Sequence, residues 1–221
     1  DGRRHFQHGP IDIIAYAEGE HAMVEHAHAA AWRRFKNVLN ELTSELTALR
    51  QPIGRACTLK GSIAKTMWQA CNECTDEFIT PMAAVAGAVA QALIEDYRLP
   101  GISRAWINNG GDIAVHMTPG QSLKIGLFSD LSRLTQDMIE AGIAVDGIFE
   151  ITQGSGVRGI ATSGWRGRSH SLGLADSVTV LATTAAHADA AATVIANQVN
   201  VDDPRIVRLP ANTLKDNSDL G

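Results

Sequence analysis

The sequence predicts an α+β fold with helices packed on an antiparallel sheet. Helical and strand-like segments come in blocks and not in strict β-α-β alternation, which separates this chain from parallel-sheet folds. Its 221 residues are 45% hydrophobic and 19% charged, enough apolar material for one sizeable core. No linker, low-complexity stretch or repeat divides them, so residues 1–221 are read as one domain.

Arg4 to Ala17 reads as a strand or hairpin broken at Gly9-Pro10, with Ile11, Ile13 and Ala15 on one face. Glu20 to Leu49 reads as one long helix. Trp32, Phe35, Leu39, Leu42, Leu46 and Leu49 recur at spacings of three and four, a core-facing stripe. On the same helix His21, Glu25 and His28 form a row that could ligate a metal. No fourth ligand is apparent, and an exposed polar face explains the row better. Gln51-Pro52-Ile53-Gly54 ends the helix.

A shorter helix is expected from Ile63 to Phe78. Thr80 then caps a third, opened by Pro81 and running to Tyr97. Its first turns hold Ala83, Ala84, Ala86, Gly87 and Ala88, so another backbone or a ligand can come close. Gly87 costs about 1 kcal/mol of helix propensity against alanine, so something should exploit its missing side chain; close sheet packing is one explanation. Ile102 to Ile107, Asp112 to Met117 and Ser122 to Phe128 read as a three-stranded antiparallel meander. Leu131 to Ile151 is ambiguous, helical around Leu134 to Ala141 and strand-like from Gly147 to Thr152. Gly159 to Gly164 reads as a small-residue loop, Asp176 to Ala182 as a half-buried strand, and the alanine-dense stretch around His187 to Thr193 as a helix.

The net charge of −5 and the absence of a basic cluster exclude a nucleic-acid surface. No apolar run is long enough to span a bilayer. Cys57, Cys71 and Cys74 are an odd set in a chain that needs no staples, which fits free thiols in a reduced cytoplasmic setting. The Cys71-x-x-Cys74 spacing lacks the partners of a zinc site. With Asp1 first and Leu220-Gly221 last, a trimmed start and a missing C-terminal tail are expected.

Two features point to chemistry. Asp189 and Thr193, four residues apart, share a helical face, and a carboxylate with a hydroxyl can hold one hard cation. A structural helix N-terminus is the alternative. Asn109-Gly110-Gly111-Asp112 is a hairpin turn whose paired glycines let backbone amides approach a ligand.

Ala161-Thr162-Ser163-Gly164, Val178-Thr179-Val180 and Ala188-Asp189-Ala190-Ala191-Ala192-Thr193 follow one another in order. Together they resemble the C-terminal signature of the ApbE superfamily, the flavin transferases that move FMN from FAD to a Ser or Thr of a target protein. With Pro81-Met82-Ala83-Ala84-Val85-Ala86-Gly87, Asn108-Asn109-Gly110-Gly111-Asp112-Ile113 and Gly9-Pro10-Ile11-Asp12-Ile13, most of the chain resembles the smaller UPF0280 branch. The resemblance implies two similar lobes around a central cleft. It implies Mg2+ held by Asp189, Thr193 and the Ala84 carbonyl, with FAD against Gly110, Gly111, Asp112, Ala161, Thr162, Ser163 and Gly164. His170 takes the place of the base that deprotonates the acceptor hydroxyl, and Arg166 and Arg168 flank the same loop.

Two departures stand out. His170-Ser171-Leu172-Gly173 lacks the P-x-T-G that follows the histidine in the transferases, and Gly87 replaces their lysine. The leading expectation is a flavin-nucleotide-handling protein related to Mg-dependent FAD:protein FMN transferases, with a flavin nucleotide and a flavin-acceptor protein as partners. A homo-oligomer is compatible with it. The alternatives are a non-catalytic binder of FMN, FAD or another phosphorylated ligand, and an enzyme of different chemistry on the same scaffold.

Overall fold

The computed structural model describes residues 2–74, 78–127, 145–166, 171–209 and 213. Six strands form the main sheet: β1 (Arg4–His8), β2 (Ile11–Gly19), β3 (Ile102–Asn109), β4 (Asp112–Met117), β7 (Gly159–Ser163) and β8 (Val178–Ala182). They lie in that order, every neighbouring pair antiparallel. A separate two-stranded ribbon pairs β5 (Ser122–Leu127) with β6 (Gly147–Thr152). Five α-helices are described: α1 (His21–Ser44), α2 (Leu46–Leu49), α3 (Ser62–Asn72), α4 (Val85–Ile94) and α5 (Ala185–Gln198).

The hairpin expected around Gly9-Pro10 is β1–β2, and Ile11, Ile13 and Ala15 all point into the core. That core fills the space between the helices and one sheet face, joining Phe35, Val38 and Leu42 of α1, Ile63 and Met67 of α3, Val89 and Leu93 of α4, and Ile107 of β3. Of the expected stripe, Phe35 of α1 and Leu49 of α2 are buried, whereas Trp32 is 41% exposed with its ring resting on Phe6 and Phe35. His28 departs from the expected polar row. It is 4% exposed, and its Nδ1 hydrogen-bonds the buried Tyr97 hydroxyl at 2.8 Å.

The long N-terminal helix breaks at Glu45, which sits at φ −117 and ψ 13 between α1 and α2. The cause lies in space, not in the local sequence. Its carboxylate accepts N–H bonds from Lys60 and Gly61 at 2.7 to 3.4 Å, while Glu41 accepts from the Ile63 amide at 3.2 Å. Two carboxylates thereby cap α3, whose own N-cap, Gly61, has no side chain to do so. The two amide donors hold the Glu45 carboxyl below the ordinary range. Glu45→Ala should lower stability by about 1–2 kcal/mol at neutral pH. A carboxyl lowered in the folded state stabilises above its ordinary pKa and loses that contribution as pH falls through its folded value. Urea unfolding at pH 7 and pH 3.5 should therefore show the difference from wild type shrinking with acid.

Four further expectations change. The third helix opens as a 3-10 turn (Pro81–Ala84), and Thr80 makes no capping side-chain bond. The second helix ends at Asn72. The three-stranded meander does not form, because β5 leaves the sheet to pair with β6. The ribbon instead covers the sheet face opposite the helices, where Ile125 and Ile151 pack on Val115, Met117 and Ile160. The expected loop at Gly159 to Gly164 is for most of its length strand β7, which takes the place beside β4. No helix among the described residues is long and apolar enough to cross a membrane.

Candidate functional site

Helices α4 and α5 pack antiparallel, and Gly87 makes that possible. A Cβ there would overlap the Ala185 carbonyl and stand 2.9 Å from the Asp189 Cβ. The small residue noticed in the sequence thus serves a helix–helix contact and not a helix–sheet one. Across the contact each helix completes the other's N-terminus. Asp189 Oδ2 accepts from the Gly87 amide at 2.9 Å, with the Ala86 amide as a further donor, while Gln91 Oε1 accepts from the Ala186 amide at 3.1 Å. Ala84, the N-cap of α4, has no group to offer. One turn further along α5, the Thr193 hydroxyl donates to the Ala83 carbonyl at 3.4 Å.

The sheet supplies the opposite wall. Asn109, the last residue of β3, donates from Nδ2 to the Ala86 carbonyl at 3.1 Å. Asp112, the first residue of β4, accepts from the Thr162 amide through Oδ1 at 3.1 Å. The buried polar residues described are His28, Asn109, Asp112, Ser163 and Asp189. All but His28 lie where β3, β4 and β7 meet the start of α4 and the second turn of α5.

Burial is the main electrostatic fact here. It lifts the Asp189 carboxyl well above its ordinary range, and the Asp112 charge raises it further against the opposing pull of the Gly87 and Ala86 amides. Burial also pushes Asp112 up to about 7, partly offset by the Thr162 amide. Two carboxylates held together away from water retain a proton near neutrality unless a cation joins them.

The expected site residues divide accordingly. Asp112, Ala161, Thr162, Ser163, Asp189 and Thr193 gather around this point, and Ala84 is buried beside Ala83 in the 3-10 turn. Gly110 and Gly111 stand apart. Their φ values of 65 and 113 meet the demands of the turn, closed by the Gly111 amide on Asn108 Oδ1, and an added Cβ meets nothing within 4 Å. Asp112 is buried against β7 instead of lining an open turn. Gly164 packs on the Asp176 carbonyl, and Arg166 pairs with Asp176 at 2.9 Å. His170 and Arg168 lie outside the described residues. Gln91 was missed by sequence reasoning, and Asn109 was read only as part of the hairpin turn, since the partner of each lies far away in the chain.

A family model described as AbpE bacteria matches residues 1–221, the whole chain. Similar proteins include the UPF0280 protein of Methanothermobacter thermautotrophicus, 37% identical over 126 residues, which are 57% of this chain and 44% of that one. UPF0280 protein MK0206 of Methanopyrus kandleri is 37% identical over 150 residues, 66% of this chain and 54% of the other. That of Methanoculleus marisnigri is 38% identical over 130 residues, 58% and 49% of the two. The chain belongs to the UPF0280 family. It spans about half the length of the curated relatives it matches. Family membership bears on the scaffold, and the chemistry of the site rests on its own residues.

Proposed function

We propose that this site handles a flavin nucleotide with the help of Mg2+, in the manner of the FAD:protein FMN transferases the sequence resembles. The observation that supports this reading best is the burial of Asp112 and Asp189 together, with no Lys or Arg among the buried residues described. A hard divalent cation suits such an oxygen-rich donor set. Among the described residues no three His, Cys, Asp or Glu side chains gather, so a cation here would rely on hydroxyl and main-chain oxygens beside the carboxylates. Asp189, Thr193 and the Ala84 carbonyl would hold it. Thr193 already touches the 3-10 turn that contains Ala84, so the residues fit.

When bound, Mg2+ supplies charge neutralisation for a pyrophosphate. The chain's own part is positioning. Asp189 fixes the start of α4, and Gly110-Gly111 form the positive-φ turn that leads into Asp112. Thr162 gives its backbone amide to Asp112, while its hydroxyl pairs with that of Thr179 at 2.9 Å. In this reading the site faces the cleft between two similar lobes, and His170 assists an acceptor hydroxyl.

One observation favours the second reading, a binder without transferase activity. Gly87 stands where the transferases carry lysine, and the α5 backbone presses on it so closely that no side chain fits. A cation facing the nucleotide is therefore missing from that position. The deciding experiment is incubation with FAD and Mg2+, alone and with candidate acceptor proteins, read by mass spectrometry. Covalent FMN on a Ser or Thr with released AMP supports transfer. Reversible binding with neither product selects the binder.

A further inference from the structure

The Asn-Gly-Gly-Asp turn would ordinarily be valued for its glycines, yet its flanking residues reach the site. Asp112 bonds β7. Asn109 bonds α4, and it does so from the helix-facing side of β3, the side on which Ala105 and Ile107 are fully buried. We propose that Asn109 is the positioning residue of the site: its side-chain amide holds the first turn of α4 against the sheet, so that the amides gripping Asp189 stand opposite Asp112. The proposal rests on the cation-site reading above for its functional consequence, and on geometry alone for its structural one.

The first turn of α4 is gripped from two sides. From the sheet, Asn109 Nδ2 donates to the Ala86 carbonyl at 3.1 Å. From α5, the Asp189 carboxylate accepts from the amides of Gly87 and Ala86. Nearby, Thr193 draws on the Ala83 carbonyl. The chemistry demands an uncharged donor of short reach. Aspartate has no donor and would set a third carboxylate beside two that already repel. Lysine or arginine brings a longer stem and a charge into a buried place, and alanine leaves the grip one-sided. Asn109 is 8% exposed, so its bond does not compete with bulk water.

Losing the Asn109 grip frees α4 to move away from the turn. The Gly87 and Ala86 amides would shift against the Asp189 side chain, whose helix stays packed on β7, and the direction in which that carboxylate faces Asp112 would no longer be fixed. The effect should be local, because the rest of α4 is held by Val89, Ala90 and Leu93 in the core.

Hydrogen exchange by NMR on the ligand-free protein tests this directly. In Asn109→Ala the Gly87 amide should exchange about tenfold faster, the equivalent of one hydrogen bond of about 1.4 kcal/mol, while the amides of Val89 to Leu93 keep their protection. In wild type the Asn109 side-chain amide protons should themselves exchange slowly, which tests the bond even if the variant does not fold. Mg2+-dependent affinity for FAD should fall about tenfold in the variant, with the affinity in EDTA unchanged. Unaltered Gly87 exchange, or freely exchanging Asn109 side-chain protons, would overturn the positioning role. So would a loosened Gly87 with unchanged Mg2+-dependent affinity. A wild type that binds no FAD defeats the cation-site reading instead, and the exchange results then decide the role of Asn109 alone.

Discussion

Gly87→Ala should destabilise the protein by about 2 kcal/mol or more, although alanine is the better helix former. The propensity gain in a helix is at most about 1 kcal/mol. Against it stands overpacking, which costs about 1–3 kcal/mol and more where neighbours cannot yield. Here they cannot. The added methyl would run into the Ala185 carbonyl, and Ala185 has no room to retreat because its backbone nitrogen and Cα already press on Gly159 of β7. The start of α5 is held between two glycines, one from a helix and one from a strand. Gly159→Ala should be as harmful for the same reason. Gly154→Ala, where an added Cβ meets nothing within 4 Å, should stay within about 0.5 kcal/mol of wild type. Urea unfolding of the three variants checks this, and a Gly87→Ala protein as stable as wild type would contradict the packing described.

The second large effect is a pair of opposite signs from one substitution. Asp189→Asn keeps an oxygen for the Gly87 amide and removes a charge from a buried like-charge pair. A carboxyl whose folded pKa is raised binds its proton more tightly folded than unfolded. It therefore costs stability at pH above its ordinary value and costs nothing once both states are protonated. Asp189→Asn should gain about 1 kcal/mol at pH 8, and the gain should vanish by about pH 3, below the ordinary carboxylate range. The same variant should lose Mg2+-dependent flavin binding. Should the substitution destabilise at pH 8, Asp189 is a capping residue first, and its bonds to the α4 amides outweigh the cost of burying its charge beside Asp112.

Much of this was readable in the sequence, and what escaped has a common cause. The hairpin at Gly9-Pro10 and the β3–β4 turn are set by short-range patterns and appear where turn chemistry puts them. Helices α3 and α4 stand at their expected places but are shorter, α3 ending at Asn72 and α4 running from Val85 to Ile94. The break at Glu45 depends on amides fifteen and sixteen residues away. The departure of β5 depends on an apolar face of β4 and β7 that needs a cover. Gly159 to Ser163 resembles a loop because its residues are small, yet they are small because α5 lies against them. At the site, Asp189 and Thr193 were legible as a helical pair. That Asp112 is the second buried carboxylate follows only from strand pairing, which brings the start of β4 beside β7 and under α5.

The central claim is that the buried acidic pair exists to receive a cation together with a nucleotide. Titration of the wild-type protein with FAD, followed by flavin fluorescence in excess Mg2+ and again in EDTA, tests it most directly. Binding on the order of micromolar with Mg2+, at least tenfold weaker in EDTA and abolished as an Mg2+ effect in Asp189→Asn, is the predicted result. Equal affinity with and without Mg2+, or no quenching up to millimolar FAD, would contradict it.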